Sequence, residues 1–271
     1  MTLSRIELDG YDTPEALAER IHELAPHLSL DFSMEDLARQ LDISEIKLTD
    51  TAAYEAAIIM DELKSTGAIL LARSNNARRR RFSIGHELGH FLLPDHHACG
   101  DHGFTCSTTD MAFRNVAASN QRKRIEAEAN RFAAQLLMPS ARIRANLRST
   151  DPDLQEVLRL AEAFNVSKAA MARSYIDAHA ATLALVVIGD GLIDQVYRPA
   201  GFPWIEPSIG EPAPWGSITS TGNLQEGTLS LMQICEPETW LAKAAARPIR
   251  TLREQVLVQR DGFMTVLLFA E

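Results

Sequence analysis

The segment His86-Glu87-Leu88-Gly89-His90 constrains this chain most, because it separates two imidazoles by four residues and places a carboxylate between them. Residues i and i+4 of a helix share one face, so a helix here lets His86 and His90 bind the same metal ion. Glu87 then lies beside the first ligand, where it can take a proton from a water that the metal activates. The segment therefore predicts a helix that carries two metal ligands and a general base.

The residues around this segment favour a buried helix. Pro94 cannot continue a helix and is expected to end it, and Ser83 is expected to be its N-cap. Gly85 and Gly89 are poor helix formers, so we predict that another backbone or a substrate approaches them closely. The alternative is a core helix whose two histidines are hydrogen-bonded and bind no metal.

A third ligand is expected from the downstream helical pattern over residues 125–138, which Pro139 ends. At roughly 100° per residue, Glu126 falls on the apolar stripe of this helix. Glu128 falls about 200° away among polar side chains, so we interpret it as solvated. Burying an unpaired carboxylate is costly, and metal binding relieves that cost. Glu126 is therefore the predicted third ligand.

Two further statements about Glu126 follow from its position. Asn130, one turn later, is expected to hydrogen-bond to a metal ligand and orient it. The alternative to metal binding is an internal salt bridge from Glu126 to one of the arginines at 78–81. The sequence alone leaves both interpretations open.

These residues carry a family resemblance. Residues 80–90, followed by 125–133 and 136–139, resemble the ImmA/IrrE metallopeptidase family. The order of these blocks is quite specific to that family, and the resemblance extends over roughly residues 10–180.

The resemblance implies a gluzincin-like zinc site formed by His86, His90 and Glu126, with Glu87 as the catalytic acid and base. Two nitrogens and one oxygen also accept Mn²⁺, so the sequence does not choose between the two ions. The resemblance further implies a metalloendopeptidase that cleaves a helix-turn-helix (Xre-type) repressor and so relieves repression. Bacterial stress and DNA-damage responses and the control of mobile elements are the settings it implies.

Composition limits the class of protein. A hydrophobic content of 46% is enough for a real core, and the apolar runs are too short to span a bilayer. The chain starts without the basic and apolar pattern of a signal peptide, so we expect a cytoplasmic protein with no membrane partner. Three cysteines (Cys99, Cys106 and Cys235) do not predict a disulfide framework.

The net charge of −9 argues against a general nucleic-acid-binding protein. Positive charge is concentrated locally, at Arg73 and at Arg78 to Arg81. We interpret this cluster as a solvated strand end; the alternative is a docking surface for an acidic substrate segment.

Helices are predicted from Pro14 to about His27, over residues 33–41 and over residues 52–64. The apolar segment 68–72 is predicted to be a strand, and its place just before His86 suits backbone pairing with an extended substrate. The alternative is an ordinary strand of the sheet, and both interpretations can be true.

Residues 94–116 are polar, and we predict a loop over the active site that contacts substrate. Two alternatives concern the thiols and imidazoles of this segment. One is a second zinc ion, although no spacing matches a known site well. The other is that Cys99 or Cys106 blocks the open metal position until it is displaced or oxidised.

The C-terminal half divides into two predicted parts. Residues 149–181 resemble the helix-turn-helix pair that follows the peptidase core in this family, and their charge favours packing or repressor docking over DNA recognition. From residue 182 the pattern changes to strands and turns, with hairpins at Asp190-Gly191 and Asp261-Gly262. Residues 182–271 are predicted to be a separate α+β domain, resembling GAF-type sensors only weakly.

The predicted fold class is therefore α+β: a mostly helical zinc-peptidase domain with a small sheet (1–148), a helical pair (149–181) and a C-terminal sensor-like domain (182–271). The competing functional hypothesis is a non-proteolytic regulator that binds a repressor, DNA or a small signal through the C-terminal domain. An intact Glu87 and only three predicted protein ligands favour the enzyme, because structural zinc usually has four protein ligands.

Overall fold

The computed structural model describes residues 3–73, 76–96, 121–221 and 224–271, and the backbone alone of 104–106. Its contacts divide the chain into two compact units. The first contains Met1–Pro139 and Glu162–Ser167, and the second contains Ser140–Ala161 and Lys168–Glu271. The predicted α+β class, a helical domain followed by a sheet domain, is confirmed, and the finer domain limits stay predictions.

The helices of the first unit begin at the residues whose side chains cap them. Thr13 accepts a hydrogen bond from the Ala16 amide, and Ser33 accepts one from the Asp36 amide, as the capping patterns predict. The helical elements of this unit are a 3₁₀ turn Arg5–Leu8, α1 Pro14–Leu24, α2 Met34–Gln40, α3 Ala77–Leu92 and α4 Gln121–Leu137.

A four-stranded sheet accompanies these helices, in the order β1-β3-β2-β4. Strand β3 is parallel to β1 and antiparallel to β2, and β4 pairs antiparallel with β2. The strands are β1 Ile43–Thr49, β2 Ala56–Met60, β3 Gly67–Ala72 and β4 Phe104–Cys106.

Three expectations about this region are wrong. The predicted helix over 52–64 is absent, because the apolar residues 56–60 gain more by pairing with β3 on one side and β4 on the other. The predicted strand at 68–72 exists as β3, but it lies between β1 and β2 and has no edge left for a substrate. Within the predicted loop 94–116, residues 104–106 form a strand, and 97–103 and 107–116 lie outside the described residues.

The N-cap of helix α3 lies seven residues before the predicted one. Asn76 caps it by accepting a hydrogen bond from the Arg79 amide, whereas Ser83 is fully buried within the helix. The extension is possible because the arginines find partners inside the first unit. Arg78 pairs with Glu162 at 2.5 Å, and Arg79 makes a two-point contact with Glu55.

The same contacts correct the interpretation of the arginine cluster. Arg81 is buried and donates to the Phe32 carbonyl, and Arg73 pairs with Asp50 at 2.8 Å. Arg78, Arg79 and Arg81 therefore brace the start of α3, and their contacts leave little of the cluster for an acidic substrate. Arg73, which directly follows β3 and whose side chain is 58% exposed, fits the predicted solvated strand end.

The second unit contains a five-stranded antiparallel sheet in the order β6-β5-β9-β8-β7. Both predicted hairpins are present, and their turn residues Asp190-Gly191 and Asp261-Gly262 all have positive φ, as a type I′ turn requires. The strands are β5 Thr182–Gly189, β6 Leu192–Tyr197, β7 Gln233–Cys235, β8 Leu252–Val258 and β9 Met264–Ala270.

Short helices cover parts of this sheet or connect its strands, and the two predicted helices of the 149–181 segment are present. A turn with Asn165 in the left-handed region joins them. The remaining helices are α5 Ser140–Ala145, α6 Leu154–Ala163, α7 Lys168–Ala178, α8 Ile218–Thr221, α9 Pro237–Trp240 and α10 Lys243–Ala246.

A buried carboxylate organises the core of the second unit. Glu254 is 1% exposed and accepts hydrogen bonds from Ser217 Oγ at 2.9 Å, the Ile218 amide at 2.8 Å and Trp240 Nε1 at 2.8 Å. Three donors compensate the carboxylate for its lost hydration, so Glu254 ties β8 to α8 and α9. In the described part of the chain, every helix is too short or too polar to cross a membrane.

Candidate metal centre

Helices α3 and α4 pack unusually closely, and two glycines allow it. A Cβ atom added to Gly89 would lie 3.2 Å from Ala129 Cα, and one added to Gly85 would lie 3.3 Å from Ala133 Cβ. The prediction that these glycines admit another backbone is confirmed, and that backbone is α4. The close approach brings Glu126, one turn before Ala129, to the histidines of α3.

Three predicted ligands meet between the two helices. The distances are 3.0 Å between His86 Nε2 and His90 Nε2, 3.2 Å from His86 Nε2 to Glu126 Oε2, and 3.5 Å from His90 Nε2 to that oxygen. The two histidines are fully buried and Glu126 is 2% exposed. Among the described residues, this is the one group of three side chains placed to hold a metal ion.

The spacing of these atoms fits a tetrahedral ion. Bonds of about 2.0–2.1 Å at tetrahedral angles separate the ligand atoms by about 3.3 Å. The three observed distances lie on either side of that value. Two imidazole nitrogens and one carboxylate oxygen also form the donor set of catalytic zinc, which leaves a fourth position for water or substrate.

The pKa values of His90 and Glu126 favour protonation states that can bind a cation. Burial lowers the pKa of His90 to about 4, so its imidazole is neutral at pH 7 and can offer a lone pair. For Glu126, burial raises the pKa, but hydrogen bonds with His86 and His90 outweigh this effect and hold the pKa well below its usual range. A buried carboxylate thus remains ionised beside the neutral imidazole of His90.

Asn130 orients the first ligand, as predicted. Its Oδ1 lies 3.0 Å from His86 Nδ1 and accepts a hydrogen bond from that nitrogen, which leaves the Nε2 lone pair directed toward the other ligands. Arg78 and Arg79 pair with Glu162 and Glu55, respectively. These two arginines therefore do not form the alternative salt bridge predicted for Glu126.

The second ligand has a partner that the sequence did not indicate. His96 is fully buried, and its Nδ1 lies 3.0 Å from His90 Nδ1. On its other side, His96 Nε2 lies 3.1 Å from Glu128 Oε2. The interpretation of Glu128 as merely solvated is therefore wrong, because it is mostly shielded and stands at the end of a chain that leads to the metal centre.

Lys64 hydrogen-bonds to the C-terminal end of α3. Its ammonium donates to the carbonyls of His90 at 3.0 Å and Leu93 at 2.6 Å, where the helix dipole favours a cation. Burial lowers the pKa of Lys64 to about 8, and the charge of Arg5 adds to this effect. The Leu93 carbonyl also accepts from the His96 amide, so the contact fixes the turn that carries His96.

Glu87, the predicted general base, follows His86 and is fully buried. On the helix it is rotated about 100° from His86 and about 60° from His90, so it lies on the ligand-bearing side of α3. This arrangement places a carboxylate next to the centre without making it a ligand.

The predictions about the thiols have different outcomes. Cys99 lies outside the described residues, as does the side chain of Cys106, so the ideas of a second zinc ion and of a blocking thiol stay predictions. Cys235 is buried in the second unit, where burial and the nearby Glu254 raise the pKa of its thiol to about 12.

Comparison with known proteins agrees with the site. The family model of the IrrE N-terminal-like domain, peptidase M78, matches residues 38–174, which include α3, α4 and all three predicted ligands. The chain belongs to this family. No curated protein matches it significantly.

Solved structures extend the comparison to the fold. A Mycobacterium tuberculosis transcriptional regulator superposes with a TM-score of 0.58 at 15% identity, covering 95% of this chain and 75% of the other. At this identity the likeness concerns the fold alone. It extends over most of the present chain, well beyond the residues that the family model matches.

Proposed function

We propose that the chain is a metal-dependent endopeptidase, with zinc as the ion, whose substrate is a helix-turn-helix (Xre-type) repressor. The observation that carries the proposal is the convergence of His86, His90 and Glu126 within hydrogen-bonding distances between two buried helices. Membership of a peptidase family supports the reaction class.

We assign ion binding and proton transfer to different residues of the site. His86, His90 and Glu126 hold the ion, which, when bound, polarises the scissile carbonyl and the attacking water. Glu87 accepts the proton of that water and passes it to the departing amine, as a general base and then a general acid. Burial of Glu87 favours this role, because the carboxylate is shielded from bulk water when the charge moves.

The number of protein ligands supports catalysis over a purely structural metal. Structural zinc sites usually have four protein ligands, whereas catalytic sites have three and an open position. The described residues supply three, and a carboxylate stands beside the first of them. An extended substrate would have to pair with β1 or β4, since these are the edge strands of the described sheet.

Replacing Glu87 with Gln tests the assignment of roles. We expect Glu87→Gln to bind zinc with an affinity close to that of the wild type and to lose cleavage by at least about 100-fold, because the proton acceptor is gone. Glu23→Gln, at an exposed glutamate, is the matched control. Native-rate cleavage by Glu87→Gln would refute the proposed mechanism.

Co-expression tests the substrate. Xre-type repressors encoded near this protein should be cut when it is present and remain whole when a chelator removes the metal. The competing hypothesis, a regulator that acts by binding, predicts an intact repressor and an effect on transcription that His86→Ala leaves unchanged. The finer biological setting, whether a stress response or control of a mobile element, is part of the proposal and depends on which repressor is cut.

A further inference from the structure

His90 differs from His86 in the partner behind it. His86 Nδ1 faces an amide oxygen, but His90 Nδ1 faces the Nδ1 of a second histidine, His96, at 3.0 Å. One of these two nitrogens must carry the proton and the other must accept it. Which one does so decides whether His90 can bind a metal through Nε2.

Glu128 decides the direction of this hydrogen bond. Its carboxylate lies 3.1 Å from His96 Nε2, and an ionised carboxylate only accepts, so His96 carries its proton on Nε2. His96 Nδ1 is then the acceptor and His90 Nδ1 the donor. The lone pair of His90 is thereby placed on Nε2, 3.0 Å from His86 Nε2 and 3.5 Å from Glu126.

The opposite arrangement is disfavoured by the same contacts. If His90 carried its proton on Nε2, His96 would have to donate from Nδ1 and present a bare Nε2 to the carboxylate. Two acceptors would then face each other at 3.1 Å. In the favoured arrangement the acceptors that meet are His86 Nε2, His90 Nε2 and Glu126 Oε2, the three atoms proposed to hold a cation, so the assignment describes the ion-binding state of the site. Arg124 and Arg131 lie 3.7 and 3.9 Å from the other carboxylate oxygen, Glu128 Oε1.

We propose that His96 and Glu128 are positioning residues of the metal centre: together they fix the tautomer and ring orientation of His90, so that its Nε2 presents a lone pair to the ion. The inference rests on the proposed metal site, and neither residue is proposed to touch substrate. His96 is buried in the turn that follows α3, and Glu128 is two residues after the third ligand on α4. The pair therefore also couples the ends of both ligand-bearing helices.

The tautomers can be read in the metal-free protein. Nitrogen-15 spectra of the imidazoles, assigned with single histidine variants, should show His90 protonated on Nδ1 and His96 protonated on Nε2. In Glu128→Ala, His96 loses the acceptor that fixes it, so the Nε2-protonated fraction of His96 should fall. Finding His96 protonated on Nδ1 in the wild type, or finding its tautomer unchanged in Glu128→Ala, would overturn the inference.

Zinc affinity gives the second measurement, by competition with a chromophoric chelator on the full chain. His96→Leu removes the acceptor, and we expect the dissociation constant to rise about 10- to 100-fold. His96→Asn can place an amide oxygen near the former Nδ1, so it should recover most of the affinity. His27→Leu, at an exposed histidine, is the matched control.

The outcomes separate the hypotheses. If His96→Leu and His96→Asn lose zinc affinity equally, packing of the side chain matters and the hydrogen-bond acceptor does not. If the dissociation constant changes less than 2-fold in both variants, neither matters. Each of these results overturns the inference. If His96→Leu is unfolded, Glu128→Ala replaces it, since that side chain is partly exposed, with Glu23→Ala as its control. Failure of the wild type to bind zinc would refute the proposed function, while the tautomer spectra would still test the relay.

Discussion

The packing of α3 against α4 leads to a quantitative prediction for Gly89→Ala. The added methyl group would lie 3.0 Å from Phe132 Cδ1 and 3.2 Å from Ala129 Cα, whereas ordinary contacts begin near 3.4 Å. Ala129 Cα belongs to the backbone, so relief requires α4 to move by a few tenths of an ångström.

The expected cost follows from two opposing terms. Overpacking of this kind costs about 1–3 kcal/mol. Replacing glycine by alanine inside a helix stabilises that helix by up to about 1 kcal/mol. We therefore expect the free energy of unfolding to fall by about 1 kcal/mol, and zinc affinity to fall as well, because Glu126 moves with α4.

Two other glycines provide matched controls. At Gly85 the nearest atoms are Ala133 Cβ at 3.3 Å and the flexible end of Met34 at 3.4 Å, so the two terms should nearly cancel. Gly201 has nothing within 4 Å, and its replacement by alanine should be neutral. Urea unfolding of the metal-free proteins measures all three. A Gly89→Ala protein as stable as the Gly85→Ala protein would refute the reasoning.

Two further predictions concern buried ionisable groups. The pKa of His90 is about 4 in the folded chain against 6.5 as a model value, so the unfolded state binds more protons between these values. His90 should therefore contribute a loss of up to about 3 kcal/mol to the stability of the metal-free protein as the pH falls from 6.5 to 4, and His90→Gln should make the profile shallower in urea titrations. His96, whose pKa burial lowers to about 2, adds a loss of the same sign that His90→Gln leaves in place. Glu254→Ala leaves three buried donors without their acceptor, and we expect a cost of about 3 kcal/mol or more, whereas the exposed Glu226→Ala should change stability little. A mild effect of Glu254→Ala would mean that water replaces the lost carboxylate.

The core of the candidate site was predictable because it depends on helical periodicity alone. The i, i+4 spacing places His86 and His90 on one face, and the apolar stripe distinguishes Glu126 from Glu128 as a ligand. The glycines of α3 predicted a close neighbour, and the Asp-Gly pairs predicted the hairpin turns. Each of these inferences uses residues that lie close together in the sequence.

The parts that were missed depend on contacts between distant segments. His96 belongs to a polar stretch, and nothing local shows that a turn returns it to His90 or that Glu128 meets it 32 residues later. Strand β2 was mistaken for a helix because its alanines suit helices, while its two strand neighbours decide its conformation. The early start of α3 likewise depends on carboxylates such as Glu162, far along the chain.

Residues 162–167 belong to the first unit although they follow part of the second unit in the sequence, and this affects how truncated proteins should be designed. A stop codon placed after position 148 would delete Glu162 and Asn165, both of which Arg78 contacts. The truncated polypeptide would keep all three proposed metal ligands and yet begin α3 beside an uncompensated guanidinium. Deletion series designed from linear domain limits would thus measure the loss of that brace as well as the loss of the C-terminal sheet.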